Sequence, residues 1–180
     1  VLGADLSVRF YPNTGPRVRD HIQAQIVEEL LRIADPRWRA YPEVPVYRPA
    51  RGRIDVVLHD PAANLLVATE VHSQIQRLEQ QLGWAQMKAE SLESADLVRT
   101  LQGDHSTSRL LVVRSTRAMR DIAIRFEATL HAAYPAETAA AHAALTGRAR
   151  WPGPALLWAD VTTDRVRILD RPPRHIGLGR

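Results

Sequence analysis

Cysteine is absent from all 180 residues, which excludes disulfide frameworks, thiolate zinc sites and cysteine nucleophiles. Lysine is nearly absent too: 23 of the 24 basic side chains are arginine, and Lys88 stands alone. No stretch approaches the ~18 consecutive apolar residues of a membrane-spanning helix, so no membrane partner is expected. The seven histidines show neither His-Glu-x-x-His nor His-x3-His spacing, which argues against zinc chemistry. No glycine stands in a phosphate-loop or dinucleotide context. Ser73 has no His-Asp pattern near it, which argues against a serine nucleophile.

What remains is an ordinary globular composition, 45% apolar and 24% charged, at the length of a single domain. The net charge is only +4, and the pI of about 10.1 reflects the arginine bias. A mild positive field leans toward a polyanionic partner. A cytoplasmic protein is the expectation from cysteine usage. The chain opens at Val1 rather than methionine, the start expected of a processed product or of a piece of something longer.

Leu6–Tyr11 alternates loosely and Asn13–Pro16 reads as a turn. Ile22, Ile26, Leu30 and Ile33 recur at helical spacing within a first helix, Asp20–Ala34, which Asp35-Pro36 stops. Glu43–Arg48, flanked and interrupted by prolines, suits an edge strand. Ile54–His59 and Leu65–His72 are strand-like runs separated by turn residues, the clearest hairpin in the chain. Ser73 with Gln76 is a capping-box signature opening a long helix. Its apolar seam is Ile75, Leu78, Leu82, Ala85, Ala89 and Leu92, read as core, with a dimer interface as the alternative. Arg109–Arg114 is a strand apolar enough to be buried on both faces. Met119 to Leu130 marks a further helix, an alanine-rich helix runs to Gly147, and Ala155–Trp158 with Val166–Leu169 forms a hairpin or two added strands. Arg171–Arg180 reads as a basic tail.

Strand alternation places the chemistry. Glu70 and His72 lie two apart and share a face. A four-residue loop at Pro61–Asn64 pairs residue 60 with 65, and counting back sets Asp55 opposite Glu70. Two apolar strands thus each carry a carboxylate, an arrangement that costs several kcal/mol unless a cation or donors compensate. Magnesium accepts one or two protein carboxylates beside waters and phosphate oxygens, so Asp55 with Glu70 is a candidate magnesium site. Gln23 falls near the middle of the first helix's apolar stripe, where a polar group needs a partner. Glu28 falls well off that stripe.

Gly52-Arg-Ile-Asp55, then Glu70-Val-His72, within a helix-strand-strand-strand-helix-strand order, resembles the PD-(D/E)XK nuclease-like superfamily over residues 20–116. The resemblance implies an α/β fold of restriction-endonuclease-like architecture: a mixed sheet flanked by helices, with C-terminal additions over 117–170 and the basic tail 171–180, all in one domain. It also implies that Asp55 and Glu70 hold the metal, that His72 stands at the position of the motif lysine, and that Glu28 is the candidate helix acid. Lys88 lies sixteen positions beyond His72. A helix rising ~1.5 Å per residue would carry it about 20 Å off, which rejects it as a migrated lysine.

Thr69–Ala89, with Glu70-Val-His-Ser-Gln-Ile-Gln-Arg77, and Arg114-Ser-Thr-Arg117 resemble the C-terminal portion of actinobacterial helix-turn-helix proteins. This implies DNA as partner. Two functions follow as expectations. The first is a nuclease-fold domain of a DNA-associated regulator with weak or no hydrolysis, favoured by the missing lysine together with the regulator-like resemblance. The second is an active magnesium-dependent phosphodiesterase using Asp55 and Glu70, with His72 in place of the lysine. Small-ligand sensing between helices and sheet is a third class left open.

Overall fold

A computed structural model describes residues 17–101 and 103–174. The loosely alternating stretch Leu6–Tyr11, its following turn and the end of the basic tail lie outside those residues. The elements, in chain order, are α1 (Arg17–Ile33), β1 (Arg39–Val46), β2 (Gly52–Asp60), β3 (Leu65–His72), α2 (Leu78–Glu90), a 3-10 turn (Ser91–Ser94) and α3 (Asp96–Thr100). Then follow β4 (Ser106–Arg114), α4 (Arg117–Arg125), α5 (Glu127–Ala133), α6 (Thr138–Leu145), β5 (Ala155–Val161) and β6 (Val166–Leu169).

The strands make one six-stranded mixed sheet in chain order. β1, β2 and β3 pair antiparallel, β3, β4 and β5 pair parallel, and β6 returns antiparallel on β5. Helices cover both faces, the layered solution for a sheet apolar on both sides. On one face Ile26, Val27 and Leu30 of α1, with Ala141 and Leu145 of α6, pack on Val56, Leu58, Val67, Val71, Val112 and Leu157. The opposite face holds two clusters. Leu78 and Leu82 join Met119, Ala123 and Leu130 over Leu111, Val113 and Trp158, while Ala89 and Leu92 lie over Val46, Ile54, Val57 and Ala68.

The β2–β3 hairpin folds as its turn chemistry predicts. Asp60 Oδ1 accepts from the amides of Ala62 and Ala63, and Asn64 takes the left-handed conformation (φ 48°) that its short polar side chain tolerates. Asp60 therefore pairs with Leu65, and the register continues to Val56↔Thr69.

Two local expectations change. The capping box at Ser73 is not used: α2 begins at Leu78, with Ser73–Arg77 an irregular connection. Ile75 instead anchors this connection by burying beside Leu78 in the apolar cluster under α2. The single helix read across Met119–Leu130 is two, α4 and α5, separated at Phe126.

The segment after α1 is tied to the end of α6 beside the hairpin turn, where Arg37 also pairs with Asp60 at 3.6 Å. Arg37 Nη2 donates to the carbonyls of Ala144 (2.6 Å) and Ala149 (2.7 Å), and the amide of Asp35 donates to the Leu145 carbonyl at 2.9 Å. Gly147, at φ 78°, ends the α6 turn where a Cβ would lie 2.1 Å from Asp35 Oδ2, so only glycine allows this close approach.

Candidate active site

The sheet is locally loosened at Asp55. On one side the β1–β2 register passes from Pro42↔Val56 to Val44↔Ile54 over Glu43, whose φ is 54°. On the other side the β2–β3 ladder stops at Val56↔Thr69. Asp55 fills the gap with its side chain. Its Oδ2 accepts from the Val71 amide at 2.7 Å and from Gln23 Nε2, on α1, at 3.1 Å. Gln23 thereby gains the partner its place in the apolar stripe demands.

Glu70 projects to the α2 side of the sheet and is buried (5% exposed). Its Oε2 is ion-paired with Lys88 Nζ, which also donates to the Arg53 carbonyl at 2.9 Å. Glu70 Oε1 is buried with no hydrogen-bond partner among the described residues. Lys88 reaches this spot because Gly52, at the start of β2, presents no side chain: a Cβ there would lie 3.3 Å from Lys88 Cδ.

The rejection of Lys88 is therefore corrected. The distance argument assumed that the helix leaves His72 in a straight line. Instead the five-residue connection Ser73–Arg77 lets α2 start over β4 and β5, with Leu78 and Leu82 against Leu111 and Trp158. The helix then runs back across the sheet until Ala89 lies over the β1–β3 end. Lys88 is thus returned to the strand it followed. The signal available in the sequence was its position: the lone lysine sits beside Ala89 at the end of the buried seam.

The electrostatics are those of a crowded acid pair. Burial, and then the nearby charge of Asp55, pushes Glu70 up to about 7 against the pull of Lys88. Burial also raises Asp55, opposed by the Val71 amide, Lys88 and Gln23. His72 is half-buried on the same face of β3 as Glu70; burial and then Lys88 push it down to about 4, so its ring is neutral at pH 7.

Glu28 is not brought to this group. It is exposed and lines a surface groove with Gln25, Arg32 and Thr162–Val166, because α1 turns Gln23 rather than Glu28 toward Asp55.

Asp55, bonded to Gln23 of α1, and Glu70, ion-paired with Lys88 of α2, are the two residues here that could hold a divalent cation. An orphaned buried carboxylate oxygen on Glu70 and two acids both held above their ordinary range are what a cation would relieve. No group of three or more His, Cys, Asp or Glu side chains that could hold a metal converges among the described residues. No helix among the described residues is long and apolar enough to cross a membrane. Comparison with family models, curated proteins and solved structures finds no match to this chain.

Proposed function

We propose that this is a magnesium-dependent phosphodiester hydrolase of restriction-endonuclease-like fold, acting on DNA. The observation that carries the reading is the ammonium of Lys88 set on Glu70, with Asp55 charge-coupled beside it. The silent-regulator reading drew on the missing lysine and on the regulator-like resemblance, and Lys88 answers the first of these.

Asp55 and Glu70 would hold the ion, which supplies charge neutralisation at phosphate and lowers the pKa of bound water. The chain's own residues do the positioning. Gln23 and the Val71 amide both bond Oδ2 of Asp55 and so orient its Oδ1. Lys88 has three N–H donors, and Glu70 and the Arg53 carbonyl take two. The third is available to a phosphate oxygen or to the attacking water, where a fixed positive charge stabilises the developing anion. His72, neutral and on the same face of β3 as Glu70, would act as a proton acceptor rather than as a substitute cation.

The test is cleavage of supercoiled, linear and single-stranded DNA in magnesium or manganese, beside the Asp55→Ala/Glu70→Ala double variant. Metal-dependent cleavage that the double variant loses by at least about 100-fold is expected, the scale on which metal and charge stabilisation act. No cleavage together with no thermal shift from either metal would overturn the reading and return the domain to a regulatory role.

A further inference from the structure

The outer surface of α2 is not uniformly polar. At 3.6 residues per turn, Gln81, Trp84 and Lys88, with Arg77 just ahead of the helix, fall within an arc of about 60°. Glu79, Gln86 and Glu90 gather on the other flank of the buried seam formed by Leu78, Leu82, Ala85 and Ala89. One flank is thus cationic and aromatic, the other acidic.

Trp84 is 45% exposed, an unusual state for the largest apolar side chain. Gln81, one turn before it, has a buried Oε1 with no hydrogen-bond partner among the described residues. The stripe leads to Lys88, whose ammonium is already at the acid pair, and beyond it Arg51 and Arg53 are exposed on either side of Gly52.

We infer that this flank of α2 is a track for single-stranded nucleic acid, in which Trp84 stacks an unpaired base while Arg77 and Lys88 meet the backbone. A cationic line with an interposed exposed indole is the chemistry of single-strand recognition, since every base offers a π face and a duplex hides it. Trp84 precedes Lys88 by one turn, about 6 Å along the axis, so a base on the indole leaves its neighbouring phosphate within reach of the acid pair. The delivery of that phosphate for cleavage rests on the hydrolase reading; the binding of the strand does not.

The test is fluorescence anisotropy in metal-free buffer, with labelled oligonucleotides of one sequence as single-stranded DNA, single-stranded RNA and duplex DNA. Proteins compared are the native chain, Trp84→Ala, Trp84→Phe and Arg77→Ala, each with its melting temperature recorded. Either single strand should bind at least ten-fold more tightly than duplex. Trp84→Ala should lose about ten-fold or more at unchanged melting temperature, and Trp84→Phe should recover most of it. Arg77→Ala should weaken every strand alike and flatten the salt dependence.

Equal affinity for duplex, or unchanged binding in Trp84→Ala, overturns the inference. So does a Trp84→Ala effect confined to oligomeric mass in light scattering, which makes the face a protein contact. Single-strand binding lost in Trp84→Ala without any metal-dependent cleavage sustains the track and removes the hydrolase. Cleavage with unaltered binding in Trp84→Ala does the reverse.

Discussion

Lys88 Nζ closes an ion pair with Glu70 Oε2 across eighteen residues of chain, with the lysine 16% and the glutamate 6% exposed at their side chains. This pair ties α2 to β3 and makes the electrostatics of the site interdependent. Each of its members can be removed separately, and the consequences differ.

Lys88→Met removes the cation and leaves a buried acid without it. Loss of one partner of a buried pair costs up to about 3–5 kcal/mol, less here because Glu70 can take up a proton. We expect a fall in urea-unfolding free energy that is larger at pH 8 than at pH 6, together with loss of cleavage. Lys88→Met/Glu70→Leu should regain most of the stability and none of the activity. Equal instability of single and double variants would show that the pair is not coupled.

The pH dependence follows from two opposite shifts. Glu70 moves from 4.5 to about 7 on folding, so its contribution is complete below pH 4.5 and is lost as pH rises through 7. His72 moves from 6.5 to about 4, so its contribution is complete above pH 6.5 and is lost as pH falls through 4. Unfolding free energy should therefore decline from pH 6.5 to 8 in the native chain and flatten there in Glu70→Gln. Between pH 4.5 and 6.5 the two contributions oppose each other, so His72→Asn should uncover the Glu70 decline in that window, whereas Glu70→Gln should leave stability rising from pH 4 to 6.5. A Glu70→Gln curve parallel to that of the native chain would contradict the burial argument.

Gln23 and Glu28 are separated by one experiment. Gln23→Leu removes a donor to the Asp55 carboxylate, a bond to a charged group worth about 1.5–3 kcal/mol, and should raise the magnesium concentration needed for half-maximal cleavage. Glu28→Ala, on an exposed part of α1, should change stability by less than about 0.5 kcal/mol and cleavage not at all. The reverse pattern would restore Glu28 as the helix acid.

Gly52→Ala tests the approach of Lys88. A methyl group there meets Lys88 Cδ at 3.3 Å, tight enough to shift a flexible side chain while leaving the strand in place. Cleavage should fall several-fold with a stability change of under about 1 kcal/mol. Unaltered cleavage would mean that Lys88 has room to spare.

The sequence made part of this site legible, for definite reasons. Asp60 and Asn64 set a loop length that fixes the register as far as Val56↔Thr69, one step short of the expected Asp55–Glu70 pair, and there Asp55 bonds the Val71 amide instead. Gln23 declared itself as a polar group in an apolar stripe, and its partner is that same aspartate. Lys88 was hidden because side-chain period says where a helix faces but not where it travels. Five irregular residues, anchored by Ile75, decide the path of α2, and nothing in local propensity encodes that direction. The fold order was readable as strands and helices, whereas the division at Phe126 was not, since the apolar spacing runs through it.

The floor beneath the acids also comes from distant chain. Ile26 and Leu30 of α1, the helix that carries Gln23 to Asp55, lie in one cluster with Ala155, Leu157 and Ile168, and Arg37 grips the carbonyls at the close of α6. A fragment trimmed after β4 would keep every acidic and basic group of the site yet strip the support from under the helix that orients them. Expressed alone, such a fragment would be soft at its centre, so the last third of the molecule is scaffolding for the first rather than ornament.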